Sequence, residues 1–268
     1  MADRFLSLKH NQTETEYSDC TKLDELRERY PGLFDIIVID TETTGLYKTE
    51  MVGGHVRKNY ILQLSILAAN DLYKDKESGE TLNKSPLGIY DQYFKPRIKS
   101  WPGAEAVNHI SYDMVKDRAS FASQKNYIQG LIDKAKVIIG YNIPFDVGFL
   151  ENSGIEVKPK YFIDVMEDYA VWFGALHSYH HSFTWQSLYS AANRAGFNWE
   201  SYPPHNSMSD CIATLHVARW LQKQNKEKGW VVYYPPCQYY QGEFYCSECN
   251  QPCRLRDVRR VYDKGLIE

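Results

Sequence analysis

The chain alternates short apolar runs with polar, glycine-marked breaks, and the run that organises the rest lies in FDIIVIDTETTGL, Phe34 to Leu46. Ile36, Ile37, Val38 and Ile39 follow one another between Gly32 and Gly45, and an apolar β-branched run so bounded predicts a strand buried on both faces. Residues i and i+2 of a strand share a side, so Asp40 and Glu42 set two carboxylates together at its end. A loop containing Gly and Lys, Tyr47 to Asn59, leads to a second apolar run from Tyr60 to Ala69. The polar segment Lys74 to Ser85 reads as a hairpin connection to a third strand over Tyr90 to Phe94, stopped by Pro96. Three strands in succession predict an antiparallel meander.

The period then changes to that of helices. Leu23, Leu26 and Tyr30 already share a helical face ahead of Pro31 and Gly32. Ala104, Val107, Ile110 and Met114 repeat at helical spacing over Gly103 to Val115, with a break near Asn108 and His109. Ser120 is the expected N-cap of a helix through Lys134, and Val137 to Gly140 reads as a buried strand. Pro144 suits the first turn of a helix ending near Gly154. A short strand at Tyr161 to Ile163 precedes helices over Asp164 to Phe173, Thr184 to Ala195 and Ser209 to Lys223, the last with Ser209 as cap. Strands first, then strand and helix in alternation, make an α/β domain: a mixed β-sheet flanked by helices.

Composition divides the chain into a leader and short helix (1–34), a main domain (35–222) and a C-terminal appendage (223–268) that follows the polar connector KQNKEKG. With 43% hydrophobic residues the chain can bury a sizeable core. A net charge of only -3 means that any footprint for a polyanion must be local. No apolar run reaches membrane-spanning length and the polar first residues resemble no signal peptide, so a cytoplasmic protein without a membrane partner is expected. Cys20 and Cys211 stand alone, whereas Cys237, Cys246, Cys249 and Cys253 cluster. Cys246 and Cys249 form a CxxC, so these four are candidates for a structural Zn²⁺. Arg254, Arg256, Arg259 and Arg260 follow, and with the nearby tyrosines they suit a small surface for a nucleic-acid strand or for a protein partner.

Further acids fall at the starts of helices. Asp146 lies in the first turn after the strand Val137 to Gly140, and Asp210 opens the last long helix, with His205 a loop's reach before it. Carboxylates gathered this closely repel one another unless a cation lies between them, and oxygen-only ligands suit Mg²⁺ or Mn²⁺. Asp40, Glu42, Asp146 and Asp210, at the ends of separate elements, are the donor set that a two-metal hydrolytic site needs, with His205 as the base for a water.

DTETTGL, NxPFDxxFL and HxxxxD, in this order, resemble the three motifs of the DEDDh branch of the DnaQ-like 3′→5′ exonucleases, which have the ribonuclease H-like fold. The resemblance covers about Asp35 to Gln222. It implies a metal-dependent exonuclease that releases nucleoside 5′-monophosphates from the 3′ ends of single-stranded DNA or RNA. Two Mg²⁺ or Mn²⁺ ions would be held by Asp40, Glu42, Asp146 and Asp210, with His205 as general base. The branch that uses a tyrosine base would place it where Asn206 stands here. Thr43, Thr44, Gly45 and Leu46 match the segment that lies along the terminal nucleotide, Leu46 against its base. Asn142 and Phe145 match positions lining the site, with core packing and a strand-end cap as the plainer alternative. Asp164 matches an acid with a supporting role.

The chain departs from the family in three places. Asn108 and His109 stand where His or Thr then Gly is usual, which alters the backbone beside the end base. Tyr141 replaces a common histidine. The loop Tyr47 to Asn59 is longer than usual; its His55, Arg57 and Lys58 are candidates for phosphate contact, against the plainer reading of a solvated insertion. His177, His180 and His181 have no carboxylate or cysteine at ligand spacing and read as a polar loop. The rival functions are a partner-dependent proofreading-type subunit, a nuclease for short oligonucleotides, and a non-catalytic nucleic-acid-binding protein on the same fold.

Overall fold

The β-branched run after Gly32 forms the central strand, β1 (Ile36–Thr43), of a five-stranded sheet ordered β7-β4-β1-β8-β9 in the computed structural model. The structure describes residues 28, 32–69, 73–74, 81–82, 87–158, 161–176, 183–233, 237–240, 243–247 and 260–263. The helix expected over Thr21 to Tyr30 lies outside them except for Glu28. The supposed loop after β1 is instead a hairpin of β2 (Thr49–Val52) and β3 (His55–Lys58), turning at Gly53 and Gly54, both with positive φ. Next come β4 (Ile61–Ala68), the short pair β5 (Tyr73–Lys74) and β6 (Thr81–Leu82), and β7 (Leu87–Tyr93). β1, β4 and β7 make the antiparallel meander that the pattern predicts.

The helices begin with α1 (Pro102–Asn108) and α2 (Tyr112–Val115), seated by the Trp101 indole, which donates to the Ile110 carbonyl at 2.7 Å. Helix α3 (Phe121–Lys134) starts at Ser120, whose hydroxyl caps the Ser123 N–H. Strand β8 (Val137–Gly140), helix α4 (Ile143–Asn152) and strand β9 (Tyr161–Asp164) follow; β8 and β9 join the sheet in parallel. Next are α5 (Val165–Phe173), α6 (Leu188–Arg194) and α7 (Ser207–Lys228). Helix α6 begins four residues later than its pattern suggests, because the residues ahead of it are engaged elsewhere. The Trp185 indole donates to Glu167 at 3.0 Å, and the Gln186 carbonyl accepts from the Tyr141 hydroxyl at 2.8 Å. Helix α7 is capped by Asn206 rather than Ser209, and it runs straight through the expected connector to Gly229, a left-handed cap.

Alternation along β1 sends Ile37 and Ile39 into one apolar cluster, with α3 and α4, and Val38 into another, with α5, α6 and α7. The sheet is thus covered on both faces, the ribonuclease H-like arrangement that the motif resemblance implied. Strand β10 (Trp230–Tyr233) pairs with β13 (Arg260–Asp263), and β11 (Cys237–Tyr240) with β12 (Glu243–Cys246). Cys237 and Tyr239 are buried in the α3–α4 cluster, so this part of the appendage folds back onto the main domain. Among the described residues no helix is long and apolar enough to cross a membrane.

Gly140 ends β8 where the chain turns sharply into α4. A Cβ there would lie 2.5 Å from Ile143 Cδ1 and 3.3 Å from its Cα. Gly140→Ala is expected to destabilise the protein by about 1–3 kcal/mol through overpacking. A urea-unfolding midpoint equal to that of wild type would refute it.

Candidate active site

Strand β1 carries its acids beyond the apolar run, where the flanking helices no longer seal the sheet. Asp40 and Glu42 project to the side on which α7 packs, and Asp210 lies in the first turn of α7. One carboxylate oxygen from each of the three lies within 4.8 Å of the others. Asp146, in the first turn of α4, is buried, and its Oδ1 accepts from the Thr41 N–H at 2.8 Å and the Thr41 hydroxyl at 2.7 Å. The structure therefore groups three of the four predicted acids and sets the fourth beside them, turned to the strand backbone. Its charge still helps to push the Asp40 carboxyl above its usual ionisation range.

The start of α7 is locked to the sheet by polar residues on the acid-bearing face. Gln63 and Ser65 of β4 stand opposite Glu42 and Asp40. Both donate to Asp91 of β7, at 2.9 and 3.0 Å. Ser65 and Ser207 hydroxyls meet at 2.6 Å, and the Ser207 N–H donates to Gln63 at 3.3 Å. The sequence reading missed these residues, although the alternation Gln63, Leu64, Ser65 inside an apolar run marks polar side chains aimed at the face of Asp40 and Glu42.

The segment after Glu42 is held by its own hydroxyls. Thr43 Oγ1 donates to the Gly45 carbonyl at 2.7 Å, and Thr44 Oγ1 to buried Asn59 at 3.0 Å. A Cβ on Gly45 would fall 2.4 Å from Asn59 Nδ2, so any larger residue would have to displace the Asn59 amide. Asn59 was missed as well. Leu46 is 79% exposed, free to meet a ligand. Asn108 is buried and donates to the Thr43 carbonyl at 3.1 Å, while His109 is exposed. Phe145 is half-buried, packed on the core and on Phe149 with centroids 4.9 Å apart. Asn142 is exposed, and its N–H donates to Asp164 at 3.0 Å; Asp164 also caps α5. The non-glycine residues with positive φ among those described are His109, Asn142 and His205. Backbone held in this region is strained, and such residues gather at functional sites. His205 is exposed on the loop entering α7, five residues before Asp210.

Other expectations meet less of the structure. His177, His180, His181, Cys249 and Cys253 lie outside the described residues, as do Arg254, Arg256 and Arg259. Cys237 is buried and stands opposite Cys246 in the β11–β12 register.

Burial pushes the site acids far up. Asp40 rises well above its usual range through burial and the charges of Asp146, Asp210 and Glu42. Glu42 rises to about 8 through burial and Asp210, opposed by a hydrogen bond from Asn108. Burial also lifts Asp146 and Asp210 to about 7, opposed by Thr41 and by the His205 backbone respectively. Asp210 Oδ1 is buried and finds no hydrogen-bond partner among the described residues. A crowd of carboxylates, one with an orphaned oxygen, fits divalent cations with oxygen preference.

Comparison with known proteins agrees with the fold. The model of the RNase_T exonuclease family matches residues 37–218. A full-length 3′-exonuclease superposes with a TM-score of 0.50 at 14% identity, covering 88% of this chain and 81% of its own. Exonuclease X in complex with 5′-overhanging duplex DNA gives 0.47 at 17% identity, with 71% and 93% covered. S. pombe Pop2p in a Mg²⁺- and Mn²⁺-bound form gives 0.49 at 13%, with 79% and 90% covered. No curated protein matches the sequence.

In the unfolded chain these carboxyls ionise near pH 4, about where free Asp and Glu do, and in the fold they hold their protons toward pH 7–8. The unfolded state therefore loses protons first as pH rises, so the site's contribution to metal-free stability falls between about pH 4 and about pH 8. Thermal unfolding in EDTA should follow that fall, and Mg²⁺ or Mn²⁺ should raise the midpoint most at the alkaline end. A midpoint indifferent to the cations at every pH would show that these acids form no cation site.

Proposed function

This chain belongs to the RNase_T exonuclease family, and from that premise we propose that it removes nucleoside 5′-monophosphates from the 3′ ends of single-stranded DNA or RNA in the manner of the DEDDh branch. The observation that carries this reading is the grouping of Asp40, Glu42 and Asp210 at the sheet end. All the residues of the DEDDh motifs are present around it, with Asp146 alongside and His205 on the adjoining loop.

Asp40, Glu42 and Asp210 would hold two Mg²⁺ or Mn²⁺ ions, with Asp146 completing the set through the oxygen that Thr41 leaves open. When bound, such ions make water more acidic and offset charge on the phosphoryl oxygens. The residues of the chain supply the rest. His205 accepts the proton of the attacking water at an imidazole nitrogen, since histidine is the side chain suited to exchanging protons near neutrality. The water oxygen bonds to phosphorus and the bond to the 3′ oxygen breaks; that oxygen takes a proton from solvent, leaving a nucleoside 5′-monophosphate and a strand with a new 3′ hydroxyl. Thr43 and Thr44, pinned by Gly45 and Asn59, fix the backbone beside the terminal sugar, and Leu46 rests against its base. Asn108 holds Glu42 and the Thr43 carbonyl together, tying the acid to the nucleotide segment. His109 and Asn142, both held at positive φ, are proposed to contact the terminal nucleotide. The clustered C-terminal cysteines, Cys237, Cys246, Cys249 and Cys253, are proposed to hold a structural Zn²⁺.

Digestion of 5′-labelled DNA and RNA oligonucleotides with free or blocked 3′ ends tests the reading. A ladder shrinking only from free 3′ ends, absent with Asp40→Ala, is expected; an equally active Asp40→Ala variant would end the assignment. His205→Ala should slow turnover by about 10²–10⁴ while keeping the cation-dependent rise in unfolding temperature. Loss of that rise instead would make His205 part of the cation site rather than a base.

A further inference from the structure

Resting on that reading, we propose that the β2–β3 hairpin is an arm that binds the nucleic-acid strand on the 5′ side of its terminal nucleotide. Met51 and Val56 pack against bases, and Lys58 meets a phosphate.

The hairpin continues the ribbon that bears the acids. Past the end of β1, the Thr44 N–H donates to the Tyr60 carbonyl and the Asn59 N–H to the Lys48 carbonyl, both at 2.9 Å. The pairing of β1 with β4 thus passes directly into that of β2 with β3. Each four-residue strand then extends roughly 13 Å beyond Leu46 at about 3.3 Å per residue. A strand whose end lies along Thr43 to Leu46 has this arm as its next neighbour.

The surface of the arm is unlike a solvated insertion. Met51 and Val56 are cross-strand partners, 67% and 71% exposed. Leu46 and Tyr47, at the base, are 79% and 72% exposed. Exposed apolar side chains scattered singly are ordinary, but Met51 and Val56 stand side by side across the hairpin, as on a binding surface. A two-stranded hairpin alone is marginal, and this one is braced on both faces. Arg57 pairs with Glu50 and donates to the Ser100 carbonyl at 3.1 Å. On the other face, Lys58 donates to the Asn152 carbonyl at 2.9 Å. The bracing keeps Met51 and Val56 presented to solvent instead of collapsed on the body.

Charge selects the occupant. Tyr47 to Asn59 contains Lys48, Arg57 and Lys58 against Glu50 alone, in a chain with net charge -3. Arg57 is engaged by Glu50, whereas the acceptor of Lys58 is a neutral carbonyl, so its charge remains to attract an anion. Apolar side chains for base faces beside cations for the backbone are what a single strand requires.

The test measures binding by the full chain, using fluorescence anisotropy of 5′-fluorescein dodecathymidylate with Ca²⁺ in place of Mg²⁺. The double variant Met51→Ser, Val56→Ser should raise Kd about tenfold, the scale of losing a base contact. Lys58→Ala should reduce the slope of log affinity against log salt by about 0.7, one phosphate contact on a single strand. Unchanged affinity and slope in both variants would overturn the proposal and assign the exposed side chains to a protein contact. A wild type that binds no strand would overturn it as well. A wild type that cleaves nothing yet binds through the hairpin would end the exonuclease reading and leave this one standing.

Discussion

The constraint on which the structure depends is the mutual repulsion of carboxylates held where water is scarce. Left alone, Asp40, Glu42 and Asp210 would separate or take up protons; their ionisation ranges are raised first by burial and, for Asp40 and Glu42, by the neighbouring charges as well. The polypeptide prevents separation by placing each acid on an element that is fixed elsewhere. Two belong to the central strand, whose apolar half is buried between two helical layers. The third rides the first turn of the longest helix, where the backbone N–H groups favour a negative charge. Protonation or cation binding is then the remaining way to relieve the crowding, so the fold assembles a carboxylate cluster that could hold a cation.

Holding α7 in place falls to neutral polar groups. A charged anchor beside three carboxylates would either pair with one or add to their repulsion. Gln63, Ser65 and Ser207 avoid both by bonding to one another and to Asp91, one strand removed from the site. Asn59 does the same for the segment that follows Glu42. Buried amides and hydroxyls that satisfy one another rigidify without competing for the cation. This explains why polar side chains interrupt strands that otherwise read as core.

Much of this was legible in the sequence wherever a local rule decided the outcome. The run Ile36 to Ile39 could only be a buried strand, Ser120 capped its helix as its chemistry suggests, and the alternation of Asp40 and Glu42 fixed their common face. Legibility failed where two local signals competed. Ser209 and Asn206 are both good caps, and Asn206 caps because Ser207 is drawn into the sheet, which starts the helix earlier. The polar stretch after Gln222 looked like a connector because exposed helix and linker share a composition; Gly229, not the polarity, marks the end. The three acids were identifiable from order and spacing, but the turning of Asp146 toward Thr41 depends on a contact between residues 105 apart, which no local pattern encodes. The hairpin was missed because Gly53-Gly54 lies among residues of mixed polarity, and exposed apolar side chains break the alternation that normally marks a strand.

That contact also gives the folded-back appendage a structural consequence. Asp146 is positioned by α4, and α4 is covered two residues later by Tyr239, whose hydroxyl would lie 3.0 Å from a Cβ on Gly148. A larger residue there would press the ring's polar end back by a few tenths of an ångström. Lys48, at the base of the hairpin, reaches the same hydroxyl at 3.5 Å. Strand β11, the acid-bearing helix and the base of the β2–β3 hairpin therefore meet at one junction. Because interiors are close-packed, a shift of β11 cannot be absorbed locally and would displace α4 or Lys48. Among the described residues, β11 is thus part of the packing around α4, the helix that carries Asp146.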